Sequence, residues 1–270
     1  MTPNGSDFLS RYGPWAIVAG ASEGLGAEFA RQLAAKGLHV VPVARRRALL
    51  DELAGELENQ HGVEVRPVSL DLADPDAASA LRDGTRDLDV GLVVYNAALS
   101  PIGPFLEQDL DEKLRVLDVN CRAPLILAHE FGRAMLARGR GGLLLVASLS
   151  GLQGSPLLAT YAASKAFDLV LGESLWEEFR RHGIDVLAFC AGATRTPNYE
   201  ASHPRKPPRF APAAMEPAAV VTEALERLGK TPSAVAGRGN RVASFFMSRL
   251  LPRRTAVEIM GRTTRALYSK

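Results

Sequence analysis

Six short apolar runs decide what this chain can fold into: residues 15–20 (WAIVAG), 38–44 (LHVVPVA), 63–68, 90–95, 143–147 (LLLVA) and 184–190. Residues 15–20 and 143–147 are continuous rather than alternating, the pattern of a strand covered on both faces. Helical stretches separate the six runs. The first carries Leu25, Phe29 and Leu33 on one face and stops at Gly37, a C-terminal glycine. The second ends before Gly62, and the longest covers 109–138. Strands alternating with helices call for parallel pairing with crossovers. The fold class is α/β: a doubly wound, Rossmann-type parallel sheet of about seven strands with helices on both faces.

At the end of the first run stand Gly20-Ala21-Ser22-Glu23-Gly24-Leu25-Gly26, opening the first helix. Glycines let the backbone turn tightly there, and unpaired N–H groups at a helix start attract a pyrophosphate. The same residues spell G-x-S-x-G, the elbow of a serine hydrolase with Ser22 as nucleophile. That alternative needs an oxyanion loop from an earlier strand, and none precedes Trp15. Its only late histidine is His203, and it leaves Gly26 without a purpose. The second run ends in Ala44-Arg45-Arg46-Arg47, with no carboxylate where an NAD site holds the ribose. A guanidinium welcomes a 2′-phosphate. The cofactor reading is therefore NADP(H) over NAD(H), with Arg45 first, Arg46 second, and Glu23 opposing them.

The fifth run ends at Ser148, and after Pro156 a helical pattern carries Tyr161 and Lys165 at i,i+4. A hydroxyl at a strand's end facing a phenol and an ammonium one turn apart is a proton-transfer device. A free phenol keeps its proton up to a pKa of about 10, and a neighbouring cation lowers that. Asn120 lies in the longest helix, four residues before Pro124. Proline returns no N–H to the carbonyl of residue 120, so a kink is expected, and a freed carbonyl can hold a water at the end of a proton wire from Lys165. Packing alone would explain the same proline.

Composition narrows the function classes. The 270 residues suit one domain, 1–270, with a lid or substrate loop at about 197–217 and a C-terminal helical extension at about 238–270. Six prolines fall from Pro197 to Pro217, and long structureless loops are often lids. The stripe Val242, Phe245, Phe246, Leu250 and Leu251 reads first as core packing, ahead of membrane or partner contact. A net charge of +2 without a basic block does not suggest nucleic acid. Cys121 and Cys190 lack metal or disulfide spacing and read as buried free thiols; the five histidines are scattered, so no metal is expected. No signal peptide or apolar span of about 18 residues appears, which points to a cytoplasmic protein.

These residues together resemble the short-chain dehydrogenase/reductase family over about 13–230. The glycine motif matches Gly20, Gly24 and Gly26; the Asn-Ala-Gly motif matches Asn96-Ala97-Ala98; the tetrad falls on Asn120, Ser148, Tyr161 and Lys165. The Pro-Gly motif appears as Ala191-Gly192. Ala19, Ala98 and Ala191 depart from the family's threonine, glycine and proline. The opening YGPWAIVAGASEGLG is similar to 3-ketoacyl reductases and 17β-hydroxysteroid dehydrogenases of microsomal type. The resemblance implies an NADP(H)-dependent oxidoreductase interconverting a carbonyl and a secondary alcohol. Tyr161 would transfer the proton, Ser148 orient the oxygen, Lys165 lower the phenol's pKa and bind the nicotinamide ribose, and Asn120 anchor a relay water. It further implies cofactor contacts from Ser22, Glu23, Leu25, Asp71, Leu72, Asn96, Ala97, Gly192, Thr194 and Thr196, and a homo-oligomer. Leu149, Leu152, Leu157, Leu158 and Phe105, with Phe210 and Met215 in the lid, suggest an apolar substrate: a 3-oxoacyl, steroid-like or other lipophilic ketone. A nucleotide-sensing protein without turnover is the alternative from another class.

Overall fold

The structure, a computed structural model, describes residues 5–202, 205 and 213–268. Its parallel strands are β1 (Trp15–Ala19), β2 (His39–Ala44), β3 (Val68–Ser69), β4 (Val90–Tyr95), β5 (Gly141–Ser148), β6 (Ile184–Ala191) and β7 (Ser233–Val235). They line up as β3-β2-β1-β4-β5-β6-β7. The winding direction reverses between β1 and β4, and ligands bind at such a switch point beyond the strands' C-terminal ends.

Successive strand residues point to opposite faces, which splits the core into two layers. Ala16 and Val18 pack with Phe29 and Leu33 of α2 (Gly24–Ala35), Leu50 and Leu57 of α3 (Arg47–His61), and Val221 and Leu225 of α9 (Pro217–Arg227). Ile17 and Ala19 face the other layer, with Leu81 of α4 (Ala77–Gly84), Phe131 and Met135 of α6 (Ala123–Arg138), and Trp176 of α7 (Ala159–Phe179). Each fully buried Leu or Phe contributes about 1.5–3 kcal/mol. Helix α1 (Gly5–Tyr12) closes the sheet's lower edge, where the Tyr12 hydroxyl donates to Asp185 at 2.6 Å.

Several boundaries differ from the sequence reading, each for a local reason. The third run pairs only at Val65, through a single bridge to Val40, and at Val68–Ser69. Pro42 sits between the two contacts on β2 and Pro67 on the third run, and neither has an N–H to give the ladder. The stretch 109–138 is two helices, α5 (Leu110–Leu117) and α6, joined by a π-helical turn at Asp118–Arg122. There the Ala123 N–H reaches back to Asp118 O, so the helix absorbs Pro124 as a wide turn. Cys121 is half-buried rather than buried, because it lies on that turn, whereas Cys190 is buried in β6.

The loop after β6 is not structureless at its ends. A short helix, α8 (Pro197–Ala201), begins it. Met215 closes it: its backbone exchanges hydrogen bonds with Ala193 and Arg195, and its sulfur packs on Gly237. Met215 is thus pinned to the domain rather than free in a lid. Phe210 and His203 lie outside the described residues. Beyond β7 come α10 (Arg238–Phe245), a π-helical turn (Phe246–Leu250) and α11 (Arg253–Tyr268).

Candidate active site

The glycine turn joins three elements by contacts that no side chain could share. A Cβ on Gly26 would stand 1.9 Å from Gly20 O and 2.8 Å from Asn96 Nδ2. One on Gly20 would meet Ala97 Cα at 2.6 Å. Asn96 staples β4 to this turn, its amide donating to Gly20 O at 3.1 Å and its N–H to Ala19 O at 3.0 Å. Gly24, at φ +58°, faces Thr196 across the groove, where an added Cβ would be 3.0 Å from Thr196 Cγ2. Glu23 at the N-cap of α2 makes no side-chain cap, which leaves the first-turn N–H groups to face the groove. This narrow, donor-lined turn fits a dinucleotide pyrophosphate.

The rim around the turn is charged. The Arg46 guanidinium donates to Ser22 Oγ at 2.7 Å and pairs with Glu23 at 2.9 Å. Arg46, the N-cap of α3, is therefore the arginine joined to the glycine turn, whereas Arg45 was ranked first from sequence. Arg45 is tied instead through its carbonyl, which accepts from Ser69 Oγ at 3.1 Å. The extended backbone at Arg46 (φ −87°, ψ 94°) turns its side chain toward the glycine turn. Ser22 is thus engaged by a guanidinium, and it has no histidine partner among the described residues. Asp71 accepts from the Ala73 N–H and pairs with Arg115 of α5 at 2.5 Å. Burial alone would raise its pKa, but these donors outweigh it and hold Asp71 below the usual carboxylate value. Leu25 packs against the core and Leu72 is buried in it, so both offer the groove only backbone.

Ser148 is the last residue of β5, and its Oγ accepts from the Ser150 N–H at 3.2 Å. Helix α7 crosses behind it with Tyr161, Ser164, Lys165 and Asp168 on one face, at i, i+3, i+4 and i+7. Gly151 brings the loop onto that helix, since a Cβ there would be 2.6 Å from the Lys165 carbonyl carbon. The Lys165 ammonium is fully buried and donates to Val146 O at 2.8 Å and to Asp168 Oδ2 at 2.8 Å. Burial pulls its pKa down, but Asp168 and Tyr161 more than offset this, and the group is held above its usual value. Burial pushes the Asp168 carboxyl up against the pull of Lys165, and its Oδ1 has no hydrogen-bond partner. Asn120, fully buried on the π-helical turn, braces the assembly. Its Oδ1 accepts from the Leu99 N–H at 2.8 Å, and its Nδ2 donates to Leu99 O at 3.0 Å and Ser164 Oγ at 2.9 Å.

The substrate side is built from loops and the C-terminal helix. Leu157 sits at φ +65°, a left-handed conformation rare for a branched side chain, and its carbonyl accepts from Gly103 N–H at 2.9 Å. Such strain persists only where surrounding contacts over-determine it. Gly192 packs against Leu149 and Asn240, and Thr194 Oγ1 donates to Gly192 O at 3.1 Å. Thr196 caps α8, accepting from the Tyr199 N–H at 3.2 Å. Helix α11 closes over this loop: Arg253 donates to Leu152 O at 2.7 Å, and Gly261 lies against Pro156. Its end brings Tyr268 to Ser202, Tyr199 and Tyr161; burial is the main reason its pKa is raised.

The sequence reading missed three of these groups. Asp168 had a signal, a carboxylate three residues past Lys165 set between the apolar neighbours Phe167 and Leu169. Arg115 and Tyr268 had none, because their partners are distant in sequence.

The fold and the groove define a dinucleotide-dependent oxidoreductase. A family model described as short chain dehydrogenase matches residues 14–206. The 7beta-hydroxysteroid dehydrogenase of Clostridium sardiniense is 37% identical over 235 residues, covering 87% of this chain and 90% of that protein. A very-long-chain 3-oxoacyl-CoA reductase of Phaeosphaeria nodorum is 33% identical over 271 residues, covering 93% of this chain and 76% of that protein. Among solved structures, one from a study of 7beta-hydroxysteroid dehydrogenase stereoselectivity superposes with a TM-score of 0.87 at 31% identity, covering 96% of this chain and 99% of its own. A short-chain dehydrogenase from Sphingobium yanoikuyae in complex with NADPH gives a TM-score of 0.74 at 29% identity, covering 83% and 87%. The chain belongs to the short-chain dehydrogenase/reductase family and is an enzyme acting on CH–OH groups with NAD(P) as acceptor.

Proposed function

We propose that the protein is an NADP(H)-dependent ketoreductase acting on a bulky apolar ketone, with a steroid-like ring system placed ahead of a 3-oxoacyl chain. The observation that carries the catalytic part is the buried face of α7: Tyr161 one turn from an ammonium that is itself fixed to Val146 O and Asp168. The groove between Gly20, Gly24, Asn96 and Thr196 would hold the dinucleotide, with Lys165 meeting its ribose through the one N–H that Val146 O and Asp168 leave free. A nicotinamide held there would supply the hydride for the carbonyl carbon in reduction, or take it up from the CH–OH carbon in oxidation. Tyr161 gives the carbonyl oxygen its proton, Ser148 orients that oxygen by a hydrogen bond, and Lys165 favours the phenolate left behind. Asn120 holds the loop at Leu99 and the α7 backbone through Ser164, and so fixes the depth of the proton path.

The substrate class is supported by half-buried Leu149, Leu152 and Leu157 in the loop between β5 and α7 and by relatives named for hydroxysteroids whose length this chain nearly spans. For the cofactor, support comes from Arg46 beside Ser22, from the missing carboxylate at Ala44, and from the NADPH complex of a structural neighbour. Leu110, Leu114 and Leu117 on α5 are exposed and offer a second copy an apolar face. The stretch 197–217 is the proposed substrate loop. The test is a panel of ring ketones and 3-oxoacyl thioesters, assayed by NADPH and NADH absorbance. Turnover of ring ketones with NADPH supports the reading; turnover confined to small polar carbonyls overturns the substrate class.

A further inference from the structure

The last 33 residues, 238–270, carry eight basic side chains against Glu258 alone, a net of +7. The whole chain is only +2, so the other 237 residues carry −5. Such an asymmetry points to an anionic partner. The same segment breaks the expectation of a packed apolar stripe: Val242 is 58% exposed, Phe245 56%, Phe246 54% and Leu250 58%. Helical spacing puts Arg238, Val242, Phe245 and Arg249 on one face, and the π-helical turn at Phe246–Leu250 turns Phe246 out beside Phe245. The two rings meet edge to face with centroids 6.2 Å apart. An apolar centre thus lies between exposed arginines, and Arg253 and Arg254 follow on the surface.

We infer that this face docks on an anionic lipid bilayer, lying in the headgroup region without crossing it. An exposed amphipathic helix with aromatic residues on its apolar side and arginines around them has the chemistry of an interfacial segment. Among the described residues, no helix is long and apolar enough to cross a membrane. A second copy is a poor occupant, since a twofold contact centred on the two phenylalanines would set Arg238 of each copy near Arg249 of the other. A phosphodiester polymer would match the charge but leave two phenylalanines, a valine and a leucine in water. The position of the face has a consequence for the site. Helix α11 continues directly from it onto the loop at Leu152 and Pro156, so a docked molecule would present its substrate side next to the lipid.

The test needs no substrate: co-sedimentation of the full-length protein with vesicles of phosphatidylcholine alone or with 30 mol% (about one lipid in three) phosphatidylglycerol, chosen to give a negative surface potential. Binding should appear with the anionic vesicles, fall steeply from about 50 mM to about 500 mM salt as screening shortens, and be absent with phosphatidylcholine. Phe245→Ser with Phe246→Ser should abolish it, and Arg238→Glu with Arg249→Glu should lower it by about tenfold or more. All four positions are exposed, so both doublets should keep the wild-type melting temperature. Three results would overturn the inference. They are no binding of the unmodified protein at low salt, binding indifferent to both doublets, or either doublet converting an oligomer to monomer in gel filtration, which would make this face a contact between copies.

Discussion

Replacing Asp168 by Asn tests how the catalytic ammonium is held and how much of its charge the phenol feels. The change keeps size and shape and removes one charge from a pair in which both side chains are buried. Leaving one partner of a buried pair alone costs about 3–5 kcal/mol, or roughly 6–20 °C in melting temperature for a domain of this size. Lys165 is held above its usual value, so its contribution is complete below about pH 10.5 and is lost as pH rises further; the loss on mutation is therefore fully present at neutral pH. The catalytic effect has its own size. Asp168 lies seven residues from Tyr161 along α7, about 10 Å at 1.5 Å per residue. At an effective dielectric of about 20, a unit charge at that distance is worth about 1.6 kcal/mol, close to one pKa unit. No other group facing the pair titrates in the working range. Burial pushes Cys121 of the π-helical turn to about 11 and Cys190 of β6 to about 12, and Tyr95 of β4 well above its usual value. Ketone reduction takes a proton from the donor, so kcat falls on the alkaline side. In Asp168→Asn the donor sees an ammonium no longer offset, and that falling limb should move down by about one pH unit. The assay is kcat for ketone reduction from pH 5.5 to 10 (about four and a half units, spanning the shifted limb) at saturating NADPH. An unmoved limb, or one displaced upward, would refute the reasoning even if stability falls as expected.

Gly26→Ala should abolish dinucleotide binding and lower soluble yield, since its Cβ would stand 1.9 Å from Gly20 O; fluorescence titration with NADPH reads this directly. Gly55→Ala, mid-helix in α3 with nothing within 4 Å of the added carbon, should instead raise stability by up to about 1 kcal/mol in a denaturant melt. Glu23→Ala frees Arg46 from its 2.9 Å ion pair and should tighten NADPH relative to NADH, while Arg46→Ala should weaken NADPH about 10-fold or more and Ala44→Asp should reverse the order. Isothermal titrations with both cofactors at one salt concentration would check the set; equal effects on NADH and NADPH would remove the phosphate from the explanation.

Much of the sheet was legible because parallel strands buried on both sides are continuous apolar runs, and five of the six stand within a residue or two of their expected places. The third was displaced because Pro42 and Pro67 have no N–H to give the ladder, and because Glu64 and Arg66 leave the run only partly apolar. Strand β7, only Ser233–Val235, has no run to show; it exists because the edge of β6 accepts it. Tyr161 and Lys165 were readable from helical spacing, as Asp168 was in principle. Arg46 was not separable from Arg45, because which guanidinium meets Ser22 and Glu23 depends on the bend after β2, which spacing does not show. The stripe at Val242 shows the limit most plainly: periodicity says that a face is apolar and says nothing of what covers it.

The central claim is proton donation by Tyr161 to a carbonyl oxygen in an NADPH-dependent reduction. Its most direct test is Tyr161→Phe, with kcat for an apolar ring ketone and the NADPH dissociation constant measured on the same preparation. The account predicts a fall in kcat of about 10²-fold or more, the usual worth of a positioned general acid, with NADPH affinity unchanged within a few-fold. A variant that reduces the ketone at the wild-type rate would contradict it.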